Sequence, residues 1–307
     1  MARDKVSVIG AGKVGSTTAQ WIVSQDLADV VLIDVVEGLP QGCGLDTLEA
    51  APVLASSMSC AGCQDFEAVE GSRIVVITAG KPRTPGMSRD DLLAINASIV
   101  SKVAQACGER APQAIYIVVT NPLDVMAYVV KRAVGADEKR VVGMAGVLDT
   151  SRFRSFVAHA LNVSARDVQA LVLGSHGDDM IPLIRTATVG GVPLTDLLSV
   201  EAIEALVQRT RNGGAEIVGL LKTGSAYVAP SASVVEMVQS ILKDQKRLLP
   251  CSAYLTGQYG IEDAFVGVPV VLGSEGIERV IEFSLTQQEQ QRLAACARSV
   301  KEMIAKV

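Results

Sequence analysis

Lys5-Val-Ser-Val-Ile-Gly-Ala-Gly-Lys-Val-Gly15 joins an apolar run, Lys5 to Ile9, to glycines at 10, 12 and 15, and a helical pattern follows from Val14 to Ser24. A strand that ends in Gly-x-Gly-x-x-Gly at the opening of a helix is the context a dinucleotide fingerprint requires. Gly10 permits the tight turn, Gly12 lets backbone approach a pyrophosphate, and Gly15 lets helix and sheet pack closely. The free N–H groups of the helix start face the anion. Gly10, Ala11, Gly12, Lys13, Val14 and Gly15 are therefore the expected cofactor loop. The competing reading is a glycine turn that serves packing alone.

The next β-rich run, Val30 to Asp34, ends in a carboxylate roughly 20 residues beyond the glycine turn, as the fingerprint asks. There it can accept hydrogen bonds from both adenosine ribose hydroxyls, and it would repel a 2′-phosphate. The expected cofactor is NAD rather than NADP. Glu37 reads as a surface charge.

β-rich runs then keep alternating with helical patterns. Ile74 to Thr78, Ala114 to Thr120 and Val141 to Met144 read as buried strands, while Leu45 to Ala50, Asp91 to Cys107 and Val125 to Ala133 read as helices. The alternation predicts parallel β-α-β units and an α/β fold, a doubly wound Rossmann sheet. After about Gly146 the texture becomes α+β. Helices are expected over Thr150–Leu161, Glu201–Leu221, Ser231–Lys246 and about Gln287–Lys306, with β-rich stretches at Val168–Leu173, Ile184–Val189, Cys251–Thr256 and Ala264–Leu272. Gly190-Gly191 and Gly213-Gly214 mark turns or interruptions. A chain of 307 residues exceeds one typical core, so the expected division is a dinucleotide-binding domain at 1–148 and an α+β substrate domain at 149–307. No Pro/Ser-rich linker separates them, which places a shared cleft between them.

The net charge is -5, with 28 basic against 33 acidic residues and no run of Lys or Arg, so no nucleic-acid or membrane-surface partner is expected. Apolar runs are too short for the roughly 20 residues of a membrane span, and the N-terminus lacks a signal-peptide pattern. The expected location is cytoplasmic. Six cysteines are too few and too scattered for a disulfide framework. Cys60-Ala-Gly-Cys63 has the spacing of a metal or redox pair, but no second pair or nearby histidine accompanies it, so no metal is expected.

Gly80-Lys-Pro-Arg-Thr-Pro-Gly-Met-Ser-Arg-Asp-Asp91 leaves the end of the Ile74 strand with two arginines, Arg83 and Arg89. Two guanidiniums on a loop at a strand's carboxyl end imply an anionic ligand, and the flanking Pro82, Pro85 and Gly86 suit a movable lid. His176, between Gly174 and Gly177, lies where a β-rich run meets a loop and has the proton affinity to exchange a proton with an alcohol near neutral pH. His159, inside a helical pattern, reads as structural. Asp149 is a candidate to orient His176, or merely the N-cap of the helix that follows. Arg152 is expected in the first turn of that helix, where a cation calls for a partner anion. Asn121 sits at the end of another buried strand, which Pro122 is expected to stop.

Together these residues resemble the lactate/malate dehydrogenase family, and within it the malate-specific type with lactate-dehydrogenase-like sequences. The likeness spans nearly the whole chain: Gly10–Gly15, Asp34, Pro40–Asp46, Thr78–Asn96, Thr120–Asp124, Gly146–Phe153, Gly174–Asp178, Thr223–Pro230 and Gly267–Gly276. It implies His176 as proton acceptor, Asp149 as its orienting partner, Arg152 on the substrate's first carboxylate and Asn121 on substrate and cofactor. Arg89 matches the lid arginine that polarises the C2–O bond. Asn96 and the Val119, Thr120 and Asn121 backbone match positions lining the nicotinamide half, and Ser225 faces the cleft. Arg83 stands where lactate-specific members carry an uncharged residue, which implies a dicarboxylate, malate or oxaloacetate, and a place in the tricarboxylic acid cycle. The resemblance also implies a homodimer or homotetramer. The alternatives are a lactate or other 2-hydroxy-acid dehydrogenase of the same fold, and a dinucleotide-binding protein without catalysis.

Overall fold

Period-two alternation of apolar residues decides how both faces of the central sheet are covered. The computed structural model describes residues 3–82, 87–177 and 179–307. In it β1 (Lys5–Ile9), β2 (Asp29–Ile33), β3 (Cys60–Cys63), β4 (Ile74–Ile77), β5 (Ile115–Val118) and β6 (Val141–Gly143) alternate with α1 (Lys13–Ser24), α2 (Leu39–Ala50), α3 (Arg89–Arg110) and α4 (Leu123–Val134). The strands run parallel in the order β3-β2-β1-β4-β5-β6, the doubly wound arrangement the alternation predicts. Val6, Val8, Ile74, Val76, Ile115 and Ile117 point to one face, against Ile22 and Val23 of α1. Ile9, Val75, Ile77, Tyr116 and Val118 point to the other, against Leu93 and Val100 of α3 and Met126 and Val130 of α4. Burying each such side chain contributes roughly 1.5–3 kcal/mol.

The second half begins with α5 (Gly146–Leu161), which runs across the expected 148/149 boundary, and continues through β7 (Val168–Gln169), β8 (Val172–Leu173), β9 (Ile181–Pro182), β10 (Thr188–Val189), β11 (Val192–Pro193) and α6 (Leu194–Leu197). Two long helices, α7 (Val200–Leu221) and α8 (Val228–Leu242), lead to β12 (Arg247–Thr256), β13 (Glu262–Gly273), β14 (Gly276–Val280) and α9 (Gln287–Ile304). β12 pairs antiparallel with β6 through Ser252 and Gly143, and β13 and β14 follow it, so one nine-stranded sheet crosses both halves. Val234, Val235 and Met237 of α8 join the face that α1 covers. A separate cluster of Phe153, Val157, Met180, Leu194 and Ile203 fills the space among α5, α6, α7 and the short strands.

Local differences from expectation have local causes. α2 begins at Leu39 rather than Leu45, with Pro40 in its first turn, where a missing N–H costs nothing. Gly213-Gly214 lies inside an unbroken α7, and 184–186 forms a 3-10 turn rather than strand. β14 is an unforeseen strand formed by the hairpin after Gly273. Cys60-Ala-Gly-Cys63 is itself the edge strand β3, and its period places Cys60 on one face of the sheet and Cys63 on the other. Two sulfurs facing apart cannot share a ligand. Among the described residues no helix is long and apolar enough to cross a membrane.

α2 rests on β3 backbone to backbone. A Cβ at Gly62 would lie 1.8 Å from the Pro40 carbonyl oxygen, and one at Gly44 would lie 2.7 Å from Gly62 N. Gly62→Ala is therefore expected to cost about 1–3 kcal/mol of unfolding free energy in urea titrations. An unshifted midpoint would show that this contact yields freely.

Candidate active site

The glycine turn lies at the carboxyl end of β1, in the middle of the parallel strands. Gly10 holds φ +105, and a Cβ there would come 2.6 Å from Thr78 Oγ1. At Gly15 a Cβ would fall 1.8 Å from the Gly10 carbonyl oxygen, so the helix closes directly on the turn. At Gly12, by contrast, a Cβ would meet nothing within 4 Å among the described residues, the open approach a pyrophosphate needs. Thr78 Oγ1 donates to the Ile9 and Gly10 carbonyls and fixes the turn from β4. Asp34 follows β2 and accepts the Ala11 N–H at 2.7 Å and the Val36 N–H at 3.0 Å, one on each oxygen. Each oxygen keeps a further lone pair for a ribose hydroxyl.

Farther along the same edge, Asn96 is buried on α3 and its amide ties together two strand-end loops. It donates to the Asn121 carbonyl at 2.7 Å and the Lys81 carbonyl at 3.2 Å, and accepts the Lys81 N–H at 2.8 Å. Thr120 Oγ1 donates to the Ala79 carbonyl at 2.7 Å, and Val119 N–H to that of Ile77. β5 ends at Val118, before Asn121, and Pro122 serves as the N-cap of α4 rather than as the strand's stop. Asn121 is exposed at the edge of the cleft.

Arg83 lies outside the described residues. Arg89 does not stand on the loop; it is the first residue of α3 and is exposed. The reason is a capping box. Asp91 N–H donates to Ser88 Oγ at 3.0 Å and Ser88 N–H to the Asp91 carboxylate at 3.1 Å, which also holds the Asp91 carboxyl below its usual range.

The chemistry centres on α5 and the loop after β8. Asp149 is not an N-cap, because α5 starts at Gly146 with Ala145 in the cap position, and Arg152 consequently stands in the second turn rather than the first. Asp149 uses both carboxylate oxygens: Oδ2 meets His176 Nδ1 at 2.9 Å and Oδ1 accepts from Arg152 Nη1 at 3.2 Å. The carboxylate side chain is 2% exposed, Arg152 11% and His176 23%, so the anion is buried while the imidazole reaches solvent. Arg152 Nε is buried with no hydrogen-bond partner among the described residues, a donor left over beside the pair. Gly213 of α7 makes room for this guanidinium, since a Cβ there would lie 3.1 Å from Arg152 Cδ. That role is invisible in a sequence where two glycines read as a helix break.

Burial alone pulls His176 down, but the charge and hydrogen bond of Asp149, helped by Asp124, outweigh it and hold the imidazole above its ordinary value of 6.5. The loop that carries it is pinned on both sides. Gly174 N–H bonds the Gly267 carbonyl of β13 at 2.9 Å, and Arg292 of α9 donates to the Met180 carbonyl at 3.1 Å. His159 sits exposed in the last turn of α5, and Ser225 is exposed in the connection between α7 and α8.

The profile of the lactate/malate dehydrogenase NAD binding domain matches residues 4–143, and that of the family's alpha/beta C-terminal domain matches 146–307. A protein named malate dehydrogenase from Chloroherpeton thalassium is 55% identical over 99% of this chain and 98% of its own. The apo malate dehydrogenase structure from Picrophilus torridus superposes with a TM-score of 0.97 at 44% identity, covering 99% of this chain and 97% of that one. The lactate dehydrogenase of Cryptosporidium parvum, solved with lactic acid and nicotinamide adenine dinucleotide, superposes at 0.96 with 40% identity, covering 99% and 98%. The chain belongs to the lactate/malate dehydrogenase family, with that family's NAD-binding domain in its N-terminal half.

Proposed function

We propose that the protein is an NAD-dependent malate dehydrogenase interconverting (S)-malate and oxaloacetate, with residues 1–148 holding the cofactor and 149–307 most of the substrate machinery. The observation that carries this reading is the Arg152–Asp149–His176 triad, in which one buried carboxylate joins a proton carrier to a guanidinium with an unmatched donor. A 2-hydroxy acid fits that spacing of groups, its carboxylate on Arg152 and its hydroxyl on His176.

With Nδ1 committed to Asp149, His176 works through Nε2. In oxidation Nε2 takes the hydroxyl proton, and Asp149 stabilises the imidazolium that results. NAD, bound along Gly10, Ala11, Gly12, Lys13, Val14 and Gly15 with Asp34 on the ribose, supplies the hydride acceptor for C2. Asn96, Val119, Thr120 and Asn121 shape the nicotinamide end, with Asn121 also on the substrate. Arg89 polarises the C2–O bond from the start of α3, and Arg83 receives the second carboxylate. Asp34 supports NAD over NADP, since its charge opposes a 2′-phosphate.

We further propose a cytoplasmic enzyme of the tricarboxylic acid cycle that assembles as a homodimer or homotetramer. Leu39, Leu45 and Leu48 of α2, with Val53 and Leu54 after it, and Val218, Leu220 and Leu221 of α7 are all exposed. Apolar side chains at this density favour burial against a second copy.

One spectrophotometric assay separates the alternatives: oxidation of NADH and of NADPH with oxaloacetate, then with pyruvate. NADH with oxaloacetate should dominate. Arg83→Gln should lower kcat/KM for oxaloacetate roughly tenfold or more and raise the relative rate with pyruvate, because the second carboxylate loses its counter-charge. An unchanged substrate ratio would place specificity elsewhere.

His176→Asn should reduce kcat by roughly 10²–10⁴ while NADH still binds. Wild-type turnover in that variant would remove the proton-carrier role. Because Asp149 holds His176 above 6.5, oxidation of malate, which needs neutral imidazole, should rise with pH through a midpoint above that value, and reduction of oxaloacetate should fall through it. A pH-rate profile with its limb well below 6.5 would contradict the assignment.

A further inference from the structure

Lys13 is the one charged side chain between Gly10 and Gly15, and it stands at the wrong end of its helix for a cation. α1 begins at Lys13 with Gly12 in the cap position, no side chain caps its first N–H groups, and no acid occupies its first turn. The helix dipole is positive there and repels an ammonium. Among the described residues no carboxylate pairs with Lys13 to offset that cost.

Its neighbour is an aromatic ring from the other half of the chain. Lys13 Nζ lies 5.4 Å from the centroid of the Tyr227 ring, within the range of a cation–π contact. Gly224, in the same connection between α7 and α8, holds φ +83, and a Cβ there would stand 3.5 Å from the ammonium. The connection is fastened beside the glycine turn. Ser231, fully buried early in α8, donates from Oγ to the Val14 carbonyl at 2.9 Å, and Tyr227 occupies the cap position of that helix. The ring is half-buried, whereas Lys13 is exposed.

An exposed lysine ordinarily spreads over many rotamers, and localising its charge for a ligand costs entropy. Held over a ring on a fixed helix start, the ammonium stays beside the open backbone of Gly12. Free N–H groups, an uncompensated cation next to them and an aromatic face that restrains the cation all favour the same ligand group. A pyrophosphate diester, with two negative charges, meets all three.

We propose that Lys13 supplies a side-chain counter-charge to the pyrophosphate of the dinucleotide, and that Tyr227 is the positioning residue that holds its ammonium at the mouth of the turn. The inference rests on the reading of the glycine turn as the cofactor site. It adds a contribution from the second half, because the α7–α8 connection then strengthens cofactor binding through Lys13.

The test is binding to the cofactor-free protein, measured by fluorescence for NADH and by calorimetry for ADP-ribose, which keeps the pyrophosphate and lacks the nicotinamide. Lys13→Gln should weaken both ligands by about fivefold or more at low salt. That deficit should shrink as sodium chloride is raised, because salt screens the attraction, and Lys13→Arg should recover most of the affinity. Tyr227→Leu should weaken both ligands by about twofold or more, while Tyr227→Phe, which keeps the ring face, should bind like the wild type. Wild-type affinity in Lys13→Gln, or a loss of the same size at every salt concentration, would overturn the counter-charge role. Unchanged or tighter binding in Tyr227→Leu, or a Phe variant as weak as the Leu variant, would overturn the positioning role. A wild type that binds neither NADH nor ADP-ribose would instead overturn the cofactor reading beneath both.

Discussion

One carboxylate shared between a guanidinium and an imidazole organises the candidate site. Asp149 is almost wholly withdrawn from water, and its oxygens are divided between His176 and Arg152. Removing Arg152 would leave the carboxylate without its permanent counter-charge in the interior, a cost of about 3–5 kcal/mol in comparable buried pairs. The same bonds impose direction. Holding Nδ1 leaves Nε2 for the substrate, and the bond from Nη1 ties the guanidinium to the same carboxylate. On the proposed reading, a substrate would offer a proton-bearing oxygen to Nε2 and a carboxylate to the guanidinium, as a 2-hydroxy acid does.

The fold delivers that arrangement through backbone contacts. β6 passes into α5 within a few residues, and Gly146 opens the helix where a Cβ would lie 2.5 Å from the Val172 carbonyl oxygen. Thr150 Oγ1 accepts the Val172 N–H at 3.0 Å, so the α5 turn that carries Asp149 is fastened to β8. Two residues after Val172, Gly174 bridges to Gly267 of β13, and the histidine follows on a loop anchored at both ends. Because β12 and β13 extend the sheet that contains β1, the cofactor turn and the histidine loop are attached to one continuous sheet. Little tolerance remains between the groups that must meet.

Strong local signals were legible in the sequence. The glycine turn, the buried strands and the candidate residues Asp34, Asp149, Arg152 and His176 could be read because each rests on local pattern: short apolar β-rich runs, glycine spacing, or a charged or titratable residue at a strand end or helix start. The remainder depends on contacts made far along the chain. Gly213-Gly214 looks like a helix break until Arg152 is seen packing against it, and Cys60–Cys63 lacks β-branched residues, becoming a strand only by pairing with β2. Arg89 moved from loop to helix because the reciprocal Ser88–Asp91 cap begins α3 earlier than its apolar pattern does.

The buried triad also limits where substrate specificity can reside. Among the described residues Arg152 Nε has no partner, so on the proposed reading a carboxylate that bonds it would recover a desolvation cost already present in the folded protein. That gain is the same for lactate and malate, since both offer a carboxylate and a hydroxyl on adjacent carbons. Asp149 and His176 are equally blind to the third carbon. Discrimination must come from a group that meets the part in which the substrates differ, and a family that accommodates both activities on one backbone must place that group where the backbone does not change. On the proposed reading, a cationic side chain on the segment between β4 and α3 would satisfy both conditions, since a second carboxylate is the counter-charge that a monocarboxylate lacks.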